Sequence, residues 1–533
     1  TSLVIVVGAL SLWLLERAGM PILLERQRIA DTLEQWAERV SGEGTTRVHS
    51  SDLRPGEEVV VVAGGIVPAD AQVVAGTATV RPWMDATESV FRQEGDCIVG
   101  GAQVIEGRLR LVVSWAGLDR SWLRLTWDPR RRADVYAWAP RVARLTVHRL
   151  APLAALLTAL AGYATTQDLI ASLLLALGAL VALGGPAVAL LPSYHLAYGI
   201  LTALRRGVSF RTSAAFDRAG GISTATFCAR GTLLLGEPEV ASVEVVGPAG
   251  DSEKVLSLVA GAESGSQHPV AAAVLRAARD RGVRPDAVRS PNLIPGLGVT
   301  AVASTGQPLV VGSRALMLRE RISVAAAETR IVQLEAQGRT VLLVALAGRL
   351  SGLVALQDGL RPGARAAVHL LHDAGIEPVL VSGDARETCE ALGRALDLDH
   401  IRPELLPAER GEEVRRLAEG GATVAVVGRS PIDDAALGAA ELSVALSSAG
   451  STAAEWDVQL ASDDVRDAAL ALRIARQTRR EALLSLALTL GFGIAGMVVV
   501  ALGITNALTV PAAAIGGTGV ALYRLRGRNV GAL

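Results

Sequence analysis

Residues 225–236 read ATFCARGTLLLG. A short apolar run ends at Cys228, and Ala229-Arg230-Gly231-Thr232 separates it from three leucines, the pattern of a buried strand running into a turn. Working outward, VLLVAL (341–346), EPVLVSGD (377–384) and ATVAVVG (422–428) read as strands of the same buried kind. Helical patterns lie between them, RPGARAAVHLLHDAG (361–375) and ARETCEALGRALDL (385–398), which predicts a doubly wound α/β sheet within residues 211–466. In such sheets the chemistry sits at the carboxyl ends of the strands. Those ends are Cys228, Ser382-Gly383-Asp384, and Gly428-Arg429 with Asp433-Asp434 close behind.

The 533 residues are too many for one compact fold. Half are hydrophobic, the net charge is -1 and the mean hydropathy is positive, which argues against nucleic-acid binding and disorder and for a membrane protein. Three cysteines, Cys97, Cys228 and Cys389, lie far apart and give neither a disulfide framework nor a zinc spacing. Lys254 is the only lysine, so the basic residues are nearly all arginine.

Leu169–Leu191 and Ala482–Ile504 are each long enough to cross a hydrocarbon core at ~20 residues per crossing. Leu150–Ala164 and Ala507–Tyr523 are shorter, and each is joined to a longer run by a few polar residues, as in helical hairpins. Leu3–Leu15 reads as a span cut short, with a partner helix expected upstream. Arginines at 17, 26 and 28, at 141, 144 and 149, at 205 and 206, and at 473, 476, 479 and 480 flank the spans on one side. The tips Gln167-Asp168 and Thr505-Asn506 carry none, so the large polar segments face the cytoplasm.

Residues 41–135 alternate in short runs broken by Gly and Pro, a small β-rich domain. The order of pieces resembles a P-type ATPase of the heavy-metal-transporting branch, over nearly the whole chain. PGEEVVVVAGGIVPADAQVVAGTATVRPWMDATESVFRQEGDCIVGG (55–101) is similar to the actuator domain; LQDGLRPGARAAV (356–368), VSGDARETCEAL (381–392), LLPAERGEEVRRL (405–417) and AALGAAEL (435–442) are similar to the phosphorylation domain. The resemblance implies a multi-domain membrane protein. It has a transmembrane helical bundle, a β-rich actuator domain, a haloacid-dehalogenase-like α/β phosphorylation domain and an inserted α+β nucleotide-binding domain. The expected boundaries are 1–40 (first helix and extension), 41–135 (actuator), 136–210 (transmembrane hairpin), 211–238 and 349–466 (phosphorylation domain), 239–348 (nucleotide domain) and 467–533 (second hairpin and tail).

Site by site, the resemblance implies the following. ESGSQHP (263–269) and PGLGV (295–299) match the family's adenine site at Glu263, His268, Pro269, Gly296 and Gly298. An imidazole can lie against a purine and a carboxylate can accept from its amine. The family's DKTGTLT is CARGTLL here, with Cys228 at the nucleophile, Ala229 at the lysine and Arg230 at the first threonine, while Gly231 and Thr232 stay. A carboxylate is needed there to form the acyl phosphate and to help hold Mg²⁺, for which a thiolate is a poor substitute. The family's GDGxND is GRSPID, with Arg429 at the other Mg²⁺ aspartate, Ile432 at the asparagine and Asp433 at the last position. Such a cation opposes Mg²⁺ or neutralises a phosphate directly. Ser382-Gly383-Asp384 stands for TGD, Asp358 and Arg361 for DxxRP, and Arg410 for the phosphate-binding lysine. Ala86-Thr87-Glu88-Ser89 stands for TGES, keeping its glutamate.

The intramembrane CPC is Gly185-Pro186-Ala187, which keeps the helix-breaking proline and neither thiolate that a soft metal needs. The last two spans offer Thr489, Met497, Thr509 and Thr518 without a carboxylate, and His195 beside Tyr194 is expected to be satisfied by backbone or water. Three functions follow as expectations. The first is a catalytically inactive relative in the plasma membrane that binds ATP or another nucleotide without firm need of Mg²⁺ and assembles with, or regulates, a partner ATPase or other membrane protein. The second is an active metal transporter using Cys228 as nucleophile, and the third a degenerate half of a longer ATPase.

Overall fold

The computed structural model describes residues 2–42, 44–128, 137–247, 251–266, 268–451, 456–501 and 509–531. The hairpin tip at Thr505-Asn506 and the expected boundary between 135 and 136 lie outside the described residues. The chain divides into two compact units, Thr1–Gly221 with Ser447–Ser462 and Leu470–Leu533, and Ile222–Leu446 with Asp463–Ala469.

In the first unit, alternating apolar residues build an antiparallel sheet in the spatial order Gly44–His49, Trp36–Ser41, Glu58–Val62, Gln103–Trp115, Asp70–Arg81 and Val90–Arg92. Cys97–Ile98 also pairs with Asp70–Arg81. Val59, Val61, Val73, Val80, Val104, Leu109, Leu111 and Val113 fill its core. The sheet starts at Trp36, before residue 41, because residues 36–41 pair with 44–49 as a hairpin. The apolar runs are helices: Ser2–Leu33, Ala151–Thr166, Leu169–Gly184, Pro186–Arg205, Val465–Ala501 and Thr509–Gly531. By length and composition, Trp138–Thr166, Leu169–Arg205 and Val465–Val500 can each cross a membrane. At the Gln167-Asp168 tip, Gln167 is left-handed and the Asp168 carboxylate accepts from the Ile170 and Ala171 amides, capping the next helix. Leu15, Ala187, Leu191, Ala521 and Leu525 form one cluster that joins three of these helices.

In the second unit, five parallel strands run in the order His400–Arg402, Glu377–Val381, Thr224–Cys228, Val424–Gly428, Leu442–Ala445. Thr224–Cys228 is buried at every position, as its unbroken apolar run requires, and it is flanked on both sides. Val381 pairs with Cys228 and Val427 with Phe227, so the strand ends named from the sequence lie side by side. Between Cys228 and Asp358 the chain inserts a six-stranded antiparallel sheet, Glu239–Val245, Arg349–Gln357, Thr340–Leu346, Pro308–Gly312, Gly298–Val302, Arg289–Ile294. The run 341–346 belongs to this insertion and not to the parallel sheet. A buried apolar run has the same appearance in either sheet, and only its pairing with 349–357 decides.

Candidate functional site

Cys228 ends the central parallel strand, where the pleat carries its side chain into the interior at 1% exposure. Its thiol is hydrogen-bonded to the Asp433 carboxylate. Burial first, and then the Asp433 charge, push that thiol well above its usual range, so it is protonated at neutral pH. Asp433, 2% exposed, also accepts from Arg410 Nη1 at 3.1 Å through Oδ1 and from the Arg429 amide at 3.0 Å through Oδ2. Burial raises the Asp433 carboxyl, opposed chiefly by the Arg429 amide and the Arg410 charge. Both of its oxygens are therefore committed inside the protein.

A second cluster stands beside it. Arg230 Nη2 donates to Asp384 Oδ1 at 2.6 Å and to Thr340 Oγ1 at 3.1 Å. Thr340 donates to Asp384 Oδ1 at 3.0 Å and Ser382 Oγ to Asp384 Oδ2 at 2.8 Å. Burial alone would raise the Asp384 carboxyl, but the Arg230 charge and these hydrogen bonds outweigh it and hold it below the usual range. Thr340 starts a strand of the inserted sheet, so Arg230 clasps the insertion to the parallel sheet. Thr340 escaped the sequence reading because it belongs to no motif; its partners are 44 and 110 residues away. Thr232 is fully buried on the loop, with its hydroxyl toward the Ala229 carbonyl at 3.5 Å. Asp358 accepts from the Gly236 amide, and Arg361 holds the Gly231 carbonyl and Asp463.

In the insertion, Glu263 closes the helix Ser252–Glu263, and burial raises its carboxyl, opposed by a hydrogen bond from Ser266. His268 caps the helix Pro269–Asp280, its Nδ1 accepting from the Val270 amide at 3.2 Å. Burial, then the Arg230 charge, lowers its pKa, which favours the neutral imidazole suited to stacking on a purine. Gly296 takes a positive φ of 75°, and a β-carbon on it would come 2.9 Å from Leu406 and Pro407. At Gly298 a β-carbon would meet the Val311 carbonyl oxygen at 2.2 Å, so the inserted sheet itself demands this glycine. Also in the insertion, Glu335 is buried against Arg314 at 2.6 Å. Burial, opposed by Arg314 and assisted by Glu387, Glu328 and Glu404, pushes its carboxyl up to about 7.

The comparisons with known proteins cover both soluble parts. Residues 31–126 match the P-type ATPase actuator domain, and residues 224–441 match the haloacid dehalogenase-like hydrolases. A copper-transporting P-type ATPase of Rhizobium leguminosarum bv. viciae is 28% identical over 509 residues, covering 94% of this chain and 60% of the relative. A probable cation-transporting P-type ATPase J of Mycobacterium tuberculosis (strain ATCC 25618 / H37Rv) is 30% identical over 512 residues, covering 92% of this chain and 77% of that one. This chain belongs to the P-type ATPases. The crystal structure of a zinc-transporting PIB-type ATPase in an E2.Pi state shares the fold at a TM-score of 0.50 and 24% identity, covering 98% of this chain and 86% of that one. The chain spans 60% of the length of the Rhizobium relative and 56% of a copper-exporting P-type ATPase of Staphylococcus haemolyticus. It is an integral membrane protein with its large domains in the cytoplasm, as its apolar helices and the placement of its arginines require.

As a P-type ATPase it has the actuator, phosphorylation and inserted nucleotide-binding domains of the family. Glu88 is exposed on the actuator loop between Asp70–Arg81 and Val90–Arg92, in the first unit, while the phosphorylation and nucleotide residues all lie in the second. The Mg²⁺ of the family does not fit the residues present. Cys228 offers a protonated thiol, Asp433 is spent on Arg410 and the Arg429 amide, and the described residues bring no three His, Cys, Asp or Glu together.

In the membrane, Gly185 separates Leu169–Gly184 from Pro186–Arg205, so the family's helix break survives at Gly185-Pro186-Ala187 without sulfur. A β-carbon at Gly185 would lie 2.8 Å from the Val181 carbonyl oxygen, so the break as built has no room for cysteine. Thr489 and Thr518 donate to carbonyls of their own helices, and Met497 is half-buried. His195, expected to be satisfied by backbone or water, instead has Nε2 2.7 Å from Ser485 Oγ on the helix Val465–Ala501. Tyr194 lines a cavity of about 350 Å³ together with Glu16, Arg26 and Ser193.

Proposed function

We propose that this P-type ATPase forms no aspartyl phosphate and carries no soft metal through Gly185-Pro186-Ala187, and that it binds nucleotide and acts by assembling with, or regulating, another membrane protein. The observation that carries the reading is the closed ring at the phosphorylation loop, where Cys228, Arg410 and the Arg429 amide together occupy Asp433. Phosphoryl transfer depends on positioned metal and an activated nucleophile, and this ring supplies neither. Use of Cys228 as a replacement nucleophile is disfavoured by the same ring, since attack requires the thiolate and burial beside a carboxylate suppresses it. Retention of a nucleotide site is supported by Glu263, His268 and the Gly296–Gly298 loop standing on a well-packed insertion, with the Val255, Leu256, Val259 and Val299 side chains in one core.

The test is ATP turnover by the full chain in proteoliposomes, with and without Cu(I) or Zn(II). The expected result is no turnover above that of empty vesicles; metal-stimulated hydrolysis lost in Cys228→Ser would overturn the reading in favour of an active transporter.

A further inference from the structure

Arg429 stands where the family has a metal-binding aspartate, yet its guanidinium takes no part in the ring described above. Its backbone is engaged by Asp433 on both sides, the amide donating to Oδ2 and the carbonyl accepting from the Asp433 amide. The residue is exposed, and its side chain makes no ion pair or hydrogen bond among the described residues. Its stem lies over the phosphorylation loop, with Cδ 3.6 Å from where a β-carbon on Gly231 would be. Three neighbouring arginines are paired within the second unit: Arg410 with Asp433, Arg230 with Asp384, and Arg361 with Asp463. Among the described residues the Arg429 guanidinium thus stands without an ion pair beside the Cys228–Thr232 loop. A metal ion placed there would meet like charge from the guanidinium, whereas a phosphate would meet opposite charge and a fork of donors matched to its oxygens.

We propose that this chain binds nucleoside triphosphate without a divalent cation, the terminal phosphates being received at the Cys228–Thr232 loop by the Arg429 guanidinium, with the Arg230 guanidinium beside them. The proposal rests on the reading that the insertion holds the base, and extends it by naming the counter-charge. Arg230 is suited to the second role because it bridges the parallel sheet and the insertion, and its charge is felt at His268. No bond is made or broken in this event; it is binding alone.

The experiment is titration of the full chain, in detergent or nanodiscs, with ATP and separately with adenosine, in excess EDTA and in excess Mg²⁺. The expected result is ATP affinity in EDTA equal to or tighter than in Mg²⁺. Arg429→Ala then weakens ATP in EDTA by about tenfold, the worth of a charge-assisted pair, and leaves adenosine within about twofold. Arg429→Asp, which returns a carboxylate to the metal position, makes ATP binding depend on Mg²⁺. Since Arg429 is exposed, both variants are expected to keep the unfolding temperature of the parent. Tightening of parental ATP binding by Mg²⁺ of about tenfold or more, or equal losses of ATP and adenosine in Arg429→Ala, overturns the proposal and leaves the base site standing. Failure of adenosine itself to bind overturns the nucleotide reading and this proposal with it.

Discussion

Cys228 and Arg429 could each be seen in the sequence as departures from a motif, but what they do to Asp433 could not. Asp433 and Arg410 lie 23 residues apart, and Arg230 and Asp384 lie 154 apart; only the parallel register that sets Val381 beside Cys228 brings them into contact. The resulting ring makes a definite demand on substitution. Cys228→Asp places a second carboxylate in a site 1% exposed, next to Asp433 whose oxygens are already taken. Urea unfolding of this variant is expected to show a loss of ~3–5 kcal/mol, the cost of an uncompensated buried charge, where Cys228→Ser loses much less. An unchanged Cys228→Asp midpoint would mean that Arg410 is free to serve both carboxylates and that the ring is looser than its distances indicate.

Among the elements, those with long, regular patterns were legible and those distinguished only by their neighbours were not. The Thr224–Cys228, Glu377–Val381 and Val424–Gly428 strands and the helices between them followed from apolar runs and 3.6-residue spacing. Residues 341–346 have the same burial-type run but sit in the insertion, because their hydrogen-bonding partner 349–357 forms a hairpin with them. Gly298 stands in the sequence as part of the adenine-site motif, and its close neighbour in the fold is Val311 across the sheet. The helix Glu328–Glu335 shows a further property invisible in sequence, the burial of Glu335. A carboxyl with a folded pKa of about 7, against 4.5 for the free group, contributes stability that is fully present below pH 4.5 and is lost as pH rises through 7. Glu335→Gln removes that titration. Its unfolding temperature relative to the parent is therefore expected to rise between pH 5.5 and pH 8.5, by a difference worth up to ~2 kcal/mol; a pH-independent difference would show that Arg314 keeps Glu335 ionised throughout.

For the molecule as a whole, the membrane helices, the actuator sheet and the split α/β domain were readable from hydropathy, arginine placement and a few long ungapped motif runs. That order of pieces is what the relatives share, at 28–30% identity over most of this chain. What the order of pieces does not carry is whether the cycle runs, because that depends on a few groups at its two chemical centres. Both centres have changed in the same sense: the phosphorylation loop offers a protonated thiol and an occupied aspartate, and the helix break at Gly185 leaves no room for a thiolate. The direct measurement is exposure of the full chain to γ-labelled ATP with Mg²⁺, acid quenching, and electrophoresis at low pH, followed by hydroxylamine. The account predicts no label on the chain under any metal condition. An acid-stable, hydroxylamine-labile phosphoenzyme would contradict it, since it would require an acyl phosphate on a carboxylate that the ring around Asp433 holds out of reach.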